Sequence, residues 1–261
     1  MSTAETHDDP HAIFFAAHTD LPREAPGGDE WTLRALSLVP SLPPSPRVLD
    51  IGCGPGAQTL VLARAIPDAR ITAVDAHLPY LDDLRARARQ AAVSGQVQAY
   101  QADMRALPFE SGNFDLLWCE AAVYIMGFGE ALRAWRHLLT PAGTLVLSEL
   151  VWLRDDRPQE VTQFWTEYPA MTTIPRCLGM AEEAGYRCVG NFVMPQAAWW
   201  DAYYTPLRAR IQALRERFPD SPRAQATLDD CQAETDLYER WPTHYGYAFF
   251  VFQRATETNE V

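Results

Sequence analysis

A glycine-rich turn is the part of this sequence whose residue types most clearly indicate chemistry. Residues 48–57 read VLDIGCGPGA, an apolar run that leads into three glycines and then into helix-compatible residues. Glycines permit positive φ and carry no Cβ, so a ligand can approach the backbone, and the following helix offers free N–H groups. The spacing of Gly52, Gly54 and Ala57, with Asp75 21 residues after Gly54, also fits a dinucleotide-binding turn.

Acidic residues near the ends of three predicted strands favour a different ligand. Asp50 places a carboxylate two residues before Gly52, where it would repel a pyrophosphate and attract an ammonium group. Asp75 ends the second strand, where its oxygens can accept hydrogen bonds from both hydroxyls of a ribose. Asp103 and Met104 follow the third strand and suit the amine and the face of an adenine. The pattern indicates a nucleoside with an amino-acid tail.

The same segments resemble the class I S-adenosylmethionine-dependent methyltransferases. The resemblance covers residues 47–150 and rests on VLDIGCGPG, AVDA, QADMRALPF, FDLLWCEA and LTPAGTLVLS, in that order. Two of these segments are similar to the methyltransferase type 11 group, and EAAVYI, Trp135–Arg136 and SELVW are similar to an uncharacterised bacterial subgroup. The sequence departs from the family at Ala142, where glycine is usual. The resemblance implies an enzyme that uses S-adenosyl-L-methionine as its cofactor.

The resemblance also implies roles for individual residues at the cofactor. Asp75 would hold the ribose, Ala76 and His77 would lie beside the ribose and the base, and Asp103 with Met104 would flank the adenine. An alternative interpretation is that Asp75 and Asp103 only cap the helices that follow them. The residues predicted to bind the cofactor are Asp50, Gly52, Cys53, Gly54, Gln58, Asp75, Ala76, His77, Asp103, Met104 and Glu120.

Residues just after the fourth and fifth strands would face the methyl group, because ligands lie at the carboxyl ends of parallel strands. Glu120 and Tyr124 are the predicted catalytic residues, Glu120 as a proton acceptor and Tyr124 as a hydrogen-bond partner of the substrate. Glu120 could instead pair with an arginine or with the cofactor amino group, and Tyr124 could fill the crevice. Later aromatic residues could form a wall for a planar or cationic substrate, although most should be core. The predicted substrate contacts are Glu149, Trp152, Trp199, Trp200, Tyr203 and His244.

The predicted reaction is a direct in-line displacement in which an oxygen, nitrogen or sulfur atom of a small molecule attacks the sulfonium methyl group. The cofactor carries the intrinsic reactivity, so the protein needs to orient the reactants and exclude water rather than supply a triad or a metal cluster. Two alternatives stay open, an NAD-dependent oxidoreductase and a cofactor-binding scaffold without turnover.

The elements that must position these residues alternate between strands and helices. Strands separated by helical crossovers form a parallel sheet, so we predict a doubly wound α/β fold, a mainly parallel seven-stranded sheet with helices on both faces. The predicted strands are 47–51, 70–74, 96–102, 114–119, 143–148, 186–194 and 247–252. The predicted helices are 12–17, 30–39, 58–66, 81–92 and 129–139, with longer helical segments at 152–183 and 199–240.

A single domain, residues 1–261, accommodates all of these elements. A proline-rich connector, SLPPSP at 41–46, separates a helical N-terminal cover at 1–46 from a cofactor-binding core at 47–150. The remaining residues, 151–261, would supply substrate-side insertions and the last two strands.

The composition limits the classes of partner. The chain has 261 residues, no lysine and a net charge of −12, which excludes Schiff-base chemistry and disfavours nucleic acid and anionic membrane surfaces. Its 5 cysteines form no C-x-x-C pair, so neither a disulfide framework nor a metal site is expected. No apolar run is long enough to span a membrane, and the first residues lack a signal-peptide pattern. We therefore predict a cytoplasmic monomer or homodimer that acts on a small molecule.

Overall fold

A computed structural model describes residues 9–19 and 21–255, and the described strands form one mixed sheet. The strands are β1 Arg47–Ile51, β2 Arg70–Asp75, β3 Val97–Gln101, β4 Phe114–Cys119, β5 Leu139–Trp152, β6 Thr172–Thr173, β7 Tyr186–Val193 and β8 Tyr245–Arg254. Their order is β3-β2-β1-β4-β5-β8-β7, and the short β6 pairs with β5. Strands β1 to β5 run parallel, and β8 runs antiparallel to β5 and to β7.

Helices cover both faces of this sheet, as the sequence predicts. The helices are α1 Pro10–His18, α2 Asp29–Ser37, α3 Ala57–Ala65, α4 Leu78–Gln90, α5 Phe128–Trp135, α6 Gln159–Phe164, α7 Ile174–Glu183, α8 Ala197–Trp199, α9 Thr205–Arg217 and α10 Pro222–Arg240. Alternate strand residues face opposite cores, because successive side chains point to opposite sides of a strand. Val48 belongs to the core under α3, α4 and α8 to α10, whereas Leu49 belongs to the core under α5 and α7.

The second half of the chain differs from its prediction in two places. The segment 152–183 is not one helical stretch, because β5 pairs with β8 as far as Trp152 and prolines at 158, 169 and 175 interrupt the rest of the segment. The segment 199–240 breaks after α9, since Phe218 precedes a proline and leaves the helical conformation. Ser221 then begins α10 by accepting a hydrogen bond from the Ala224 N–H at 3.1 Å.

The N-terminal residues lie across the carboxyl ends of the parallel strands. Helix α1 packs on α9 and α10. The Phe15 ring stacks on His77, directly after β2, with 4.5 Å between the ring centroids. The Gly27 N–H donates to the Ala198 carbonyl of α8 at 2.9 Å. These contacts join the described residues before β1 to helices α8 to α10 above the sheet edge where a ligand is expected.

Within the described residues, every helix is too short or too polar to cross a lipid bilayer.

Candidate active site

The glycine turn after β1 has the geometry that its sequence predicts. Gly52, at φ +68°, and Gly56, at φ +88°, occupy the left-handed region. A Cβ on Gly52 would lie 2.6 Å from the Ala122 Cβ, and one on Gly56 would lie 2.1 Å from the Leu84 Cδ1. The Gly52 N–H donates to the Val74 carbonyl at 2.8 Å, which ties the turn to β2. The turn therefore requires glycine both for its backbone conformation and for space.

Asp75 at the end of β2 links two loops. Its Oδ2 accepts from the Gly54 N–H at 2.9 Å, and its Oδ1 accepts from the His77 N–H at 2.8 Å. A carboxylate has about four acceptor positions, so two of them stay available for the hydroxyls of a ribose. Asp103 accepts from the Arg105 N–H at 2.9 Å and precedes a loop, so the interpretation of Asp103 as a helix cap is wrong.

A cavity of about 200 Å³ opens between the ends of β1, β2 and β3 and the segment after β4. Five residues that the sequence predicts at the cofactor line this cavity, namely Gly52, Asp75, Ala76, Asp103 and Met104. Sequence reasoning missed the other five lining residues, which are Val74, Ala102, Arg105, Ala122 and Ile125. The first three could have been found, since each lies within two residues of Asp75 or Asp103. Ala122 and Ile125 come from the segment after β4, whose path depends on the tertiary fold.

Asp50 lies beneath the turn rather than at the cavity. It is fully buried and accepts hydrogen bonds from Thr59 Oγ1 at 2.5 Å and from Gln58 Nε2 at 3.3 Å. Gln58 also donates to the Cys53 carbonyl at 3.2 Å, and Cys53 itself is buried. In this structure Asp50 and Gln58 therefore support the turn, which corrects the expectation that the Asp50 carboxylate attracts a ligand ammonium group directly.

Two buried carboxyl groups make the stability of the fold depend on pH. Burial raises the pKa of Asp50 to about 7 and that of Glu149 to about 8, both above their values in an unfolded chain. The folded protein therefore retains protons that the unfolded chain releases, so the contribution of these two groups to stability is greatest near pH 4 and falls as the pH rises to 8. We expect urea titrations to show a loss of roughly 3 kcal/mol or more across this range.

The Asp50→Asn variant separates the two contributions to this pH dependence. Asparagine retains an acceptor for Gln58 and cannot titrate, so the variant should lose less stability between pH 4 and pH 8 than the wild type. An unchanged slope would show that Asp50 does not hold a proton in the folded state.

Glu120, directly after β4, is surrounded by donors. Its carboxylate accepts from Arg23 Nη1 at 2.9 Å, from Thr32 Oγ1 at 2.7 Å and from Trp118 Nε1 at 2.8 Å. The Arg23 and Glu120 side chains are only 7% and 8% exposed. Arg23 also donates to Asp29 at 3.1 Å. The carboxylate anchors the N-terminal residues to the sheet, an arrangement that argues against Glu120 as the general base and matches its alternative interpretation as an arginine partner.

Most of the predicted aromatic wall is hydrophobic core. Trp199 is buried and stacks on Tyr238 with 4.0 Å between centroids. Tyr203 is also buried, and its hydroxyl lies 3.2 Å from the Nε2 of His18. The guanidinium of Arg208 covers the Trp200 ring at 4.8 Å. These contacts correct the expectation that the three rings face a substrate, because helical packing turns them toward α1 and α10.

The remaining predicted substrate and catalytic residues do not form one cluster, and each has its own contacts. Trp152 donates from its Nε1 to the Met171 carbonyl at 3.1 Å, and the His244 ring packs edge-on against Trp241. Tyr124 lies in a 3-10 turn after β4 and is about half-exposed. Glu149 is buried in β5. Glu149 is near enough to Tyr124 to contribute to the raised pKa of that tyrosine.

No group of three or more His, Cys, Asp or Glu side chains among the described residues has the arrangement of a metal site.

Comparison with known proteins agrees with this geometry. A family model described as a methyltransferase domain matches residues 48–143. Trans-aconitate 2-methyltransferase of Streptomyces avermitilis is 37% identical over 112 residues, which are 42% of this chain and 41% of that protein. The Streptomyces coelicolor protein of the same name is 34% identical over 149 residues, 56% of this chain and 46% of that protein. The chain thus spans less than half the length of these two relatives.

The whole fold also has a close counterpart among solved structures. An S-adenosylmethionine-dependent methyltransferase from Geobacter sulfurreducens, in complex with S-adenosyl-L-homocysteine, superposes with a TM-score of 0.80 at 20% identity. The superposition covers 94% of this chain and 98% of that one. The chain is thus similar to S-adenosylmethionine-dependent methyltransferases, in sequence over residues 48–143 and in overall fold.

These similarities agree with the resemblance to methyltransferases that the sequence motifs indicate. The matched residues contain the glycine turn, Asp75 and Asp103, which are the elements around the cavity. None of the three relatives named above is an oxidoreductase, and these comparisons give the dehydrogenase alternative no support. The narrower assignment to the type 11 group stays a prediction.

Proposed function

We propose that this protein transfers a methyl group from S-adenosyl-L-methionine to a small molecule by direct in-line displacement. One observation carries the proposal. The carboxylate of Asp75 holds the glycine turn and the loop after β2 together at a cavity that Asp103 and Met104 line from the other side. This set of groups suits a ribose, an adenine and a methionine chain, and it belongs to the segment that matches the methyltransferase domain.

Each group at the cavity has a role in binding and orientation. The glycine turn would lie against the methionine part of the cofactor, because nothing larger than glycine fits its backbone at Gly52. Asp75 would accept from the ribose hydroxyls, and Asp103 and Met104 would contact the adenine. When bound, S-adenosylmethionine supplies an electrophilic methyl group. The N-terminal residues, tied to Glu120 through Arg23, would exclude water from the site.

The composition of the chain and the names of its relatives support a proposal for its substrate class, its partners and its oligomeric state. The two trans-aconitate methyltransferases have a small molecule in their names, and a small molecule suits a cavity at the end of a sheet. The net charge of −12 disfavours nucleic acid as a partner. We propose a cytoplasmic monomer or homodimer in which residues 1–46 and 151–261 enclose the core formed by 47–150.

Binding of the methyl donor tests this proposal. Calorimetry should show that S-adenosylmethionine and S-adenosylhomocysteine bind the protein and that NAD does not. The Gly52→Ala variant should bind both compounds at least about tenfold more weakly, a loss of about 1.4 kcal/mol, because its Cβ meets Ala122 and its φ is positive.

Gly95→Ala is the matched control, since a Cβ there meets nothing within 4 Å. It should bind as the wild type does. The proposal would be refuted if NAD bound the protein while S-adenosylmethionine and S-adenosylhomocysteine did not. A cofactor-binding scaffold would bind the sulfur nucleosides and transfer no labelled methyl group to any component of a cell extract.

A further inference from the structure

Strand β5 loses its neighbour on one edge in the middle of its length. On that edge β4 pairs as far as Cys119, opposite Leu147, and β6 pairs from Val151 onward. Residues 148–150 lie in the gap between these two strands, which we call the β5 notch. The backbone groups of the notch face the space beside the segment that follows β4, since that segment leaves the sheet here.

Glu149 fills the base of the β5 notch. Its Oε1 accepts from the Leu150 N–H at 2.7 Å. The residue is only 3% exposed, and its Oε2 has no hydrogen bond of good geometry. The Tyr168 hydroxyl is the side-chain donor that approaches this carboxyl group. A buried carboxylate oxygen without a donor is costly to the fold. Such an atom is explained if a bound molecule supplies the missing N–H or O–H group.

Two tyrosine rings from opposite sides close the notch. Tyr124 comes from the turn after β4 and Tyr168 from the segment before β6, and their ring centroids are 6.0 Å apart in an edge-to-face contact. Burial, the nearby Glu149 charge and the approach of the Tyr168 hydroxyl to that carboxylate raise the pKa of Tyr168. Burial, followed by the carboxylates Glu234 and Glu149, raises the pKa of Tyr124. Glu149 is the carboxyl group that acts on both rings, and it attracts a cation when it is ionised.

The notch adjoins the cofactor cavity through two consecutive residues. Ala122 lines the cavity, and the N–H of its neighbour Ala121 donates to Ser148 Oγ in the notch at 2.9 Å. Ala121 has a φ of +52°, which marks the sharp change of direction where the chain leaves β4. The turn after β4 therefore borders both the cavity and the part of β5 that carries Glu149.

We propose that the β5 notch binds the reacting group of the substrate and that this group is an amine, which arrives as an ammonium ion. The proposal rests on the proposed methyl transfer. An ammonium ion supplies a charged N–H donor to Glu149 Oε2, and its charge favours the ionised form of a carboxyl group whose pKa burial otherwise raises. The faces of aromatic rings such as Tyr124 and Tyr168 also attract a cation. A carboxylate substrate, such as trans-aconitate, would be repelled by the same groups.

The reaction at this position balances with Glu149 as the proton acceptor. Binding of the ammonium ion favours the ionised form of Glu149, which releases its own proton to water. The resulting carboxylate takes one proton from the ammonium ion, which leaves a neutral amine with a free electron pair. The nitrogen forms a bond to the methyl carbon while the bond from that carbon to sulfur breaks and its electron pair passes to sulfur. The products are a methylated ammonium ion and S-adenosylhomocysteine, and Glu149 releases its proton to water.

A pair of probes with the same skeleton tests the inference. Phenethylamine and 3-phenylpropanoate are titrated by calorimetry into wild-type protein saturated with S-adenosylhomocysteine. The amine should bind at least about tenfold more tightly than the acid. The Glu149→Gln variant, which retains the acceptor for Leu150, should lose at least tenfold in amine affinity, and Glu149→Asp should retain a preference for the amine. Glu110→Gln, at an exposed glutamate, should bind as the wild type does.

Three results would overturn the amine assignment. These are equal or tighter binding of the acid, unchanged amine binding by Glu149→Gln, and binding of neither probe to protein that has bound S-adenosylhomocysteine. The heat of S-adenosylhomocysteine binding is recorded first. If this compound does not bind, the proposed function fails, and that result is distinct from a failure of the amine assignment. As a second readout, labelled methyl groups should enter the cation-exchange fraction of a metabolite extract, and label confined to the anionic fraction would contradict the assignment.

Discussion

The free energy of unfolding of the Arg23→Ala variant will be about 3–5 kcal/mol lower than that of the wild type, because the substitution leaves the Glu120 carboxylate buried without its cation. Both side chains are more than nine-tenths buried, and the ion pair joins residues 97 apart in the sequence. Thr32 and Trp118 would still donate to the carboxylate, but neither carries a charge. Guanidinium chloride unfolding, followed by tryptophan fluorescence, measures the loss.

An exposed ion pair supplies the matched control for this prediction. Arg176 and Glu183 are 2.9 Å apart with side chains 55% and 60% exposed. Arg176→Ala should change the unfolding free energy by less than about 1 kcal/mol. If Arg23→Ala cost no more than Arg176→Ala, the anchor assigned to Glu120 would be wrong. The double variant of Arg23→Ala with Glu120→Gln should recover part of the loss, since no unpaired charge then remains.

Asp75→Asn will weaken the binding of S-adenosylmethionine by about 100-fold, or about 2.7 kcal/mol. The carboxylate now accepts from the Gly54 and His77 N–H groups and has acceptor positions left for ribose hydroxyls. An amide of the same size places an NH₂ group where one oxygen was. It must therefore lose a charge-assisted bond to the backbone or to the ribose, and bonds to charged groups contribute about 1.5–3 kcal/mol each. Isothermal titration calorimetry measures the change.

The Asp82→Asn variant is a suitable comparison for Asp75→Asn. Asp82 is on α4, its side chain is 75% exposed, and it pairs with Arg85 on the surface. This variant should bind the methyl donor with unchanged affinity, while circular dichroism should show that both variants keep the folded structure. An Asp75→Asn affinity within a few-fold of the wild type would mean that the ribose is held elsewhere.

Much of the core of this protein was predictable from local sequence patterns. The bounds of β1 and β4 agree with those predicted, because continuous apolar runs between turn residues are typical of buried parallel strands. Asp75 and Asp103 were expected to lie near each other, since the carboxyl ends of parallel strands meet at one edge. Both line the same cavity. Glycine spacing likewise predicted the turn conformation at Gly52.

The sequence by itself determined the doubly wound sheet, the glycine turn and the acids around the cofactor cavity, because each depends on neighbours within a few positions. Tertiary structure alone decided the partner of Glu120, since Arg23 reaches it only after the chain has folded across the sheet. It also decided that Trp199 is core and that Glu149 lies in an open notch between β4 and β6. Charge pairing and burial depend on contacts between distant segments, and local periodicity carries no information about them.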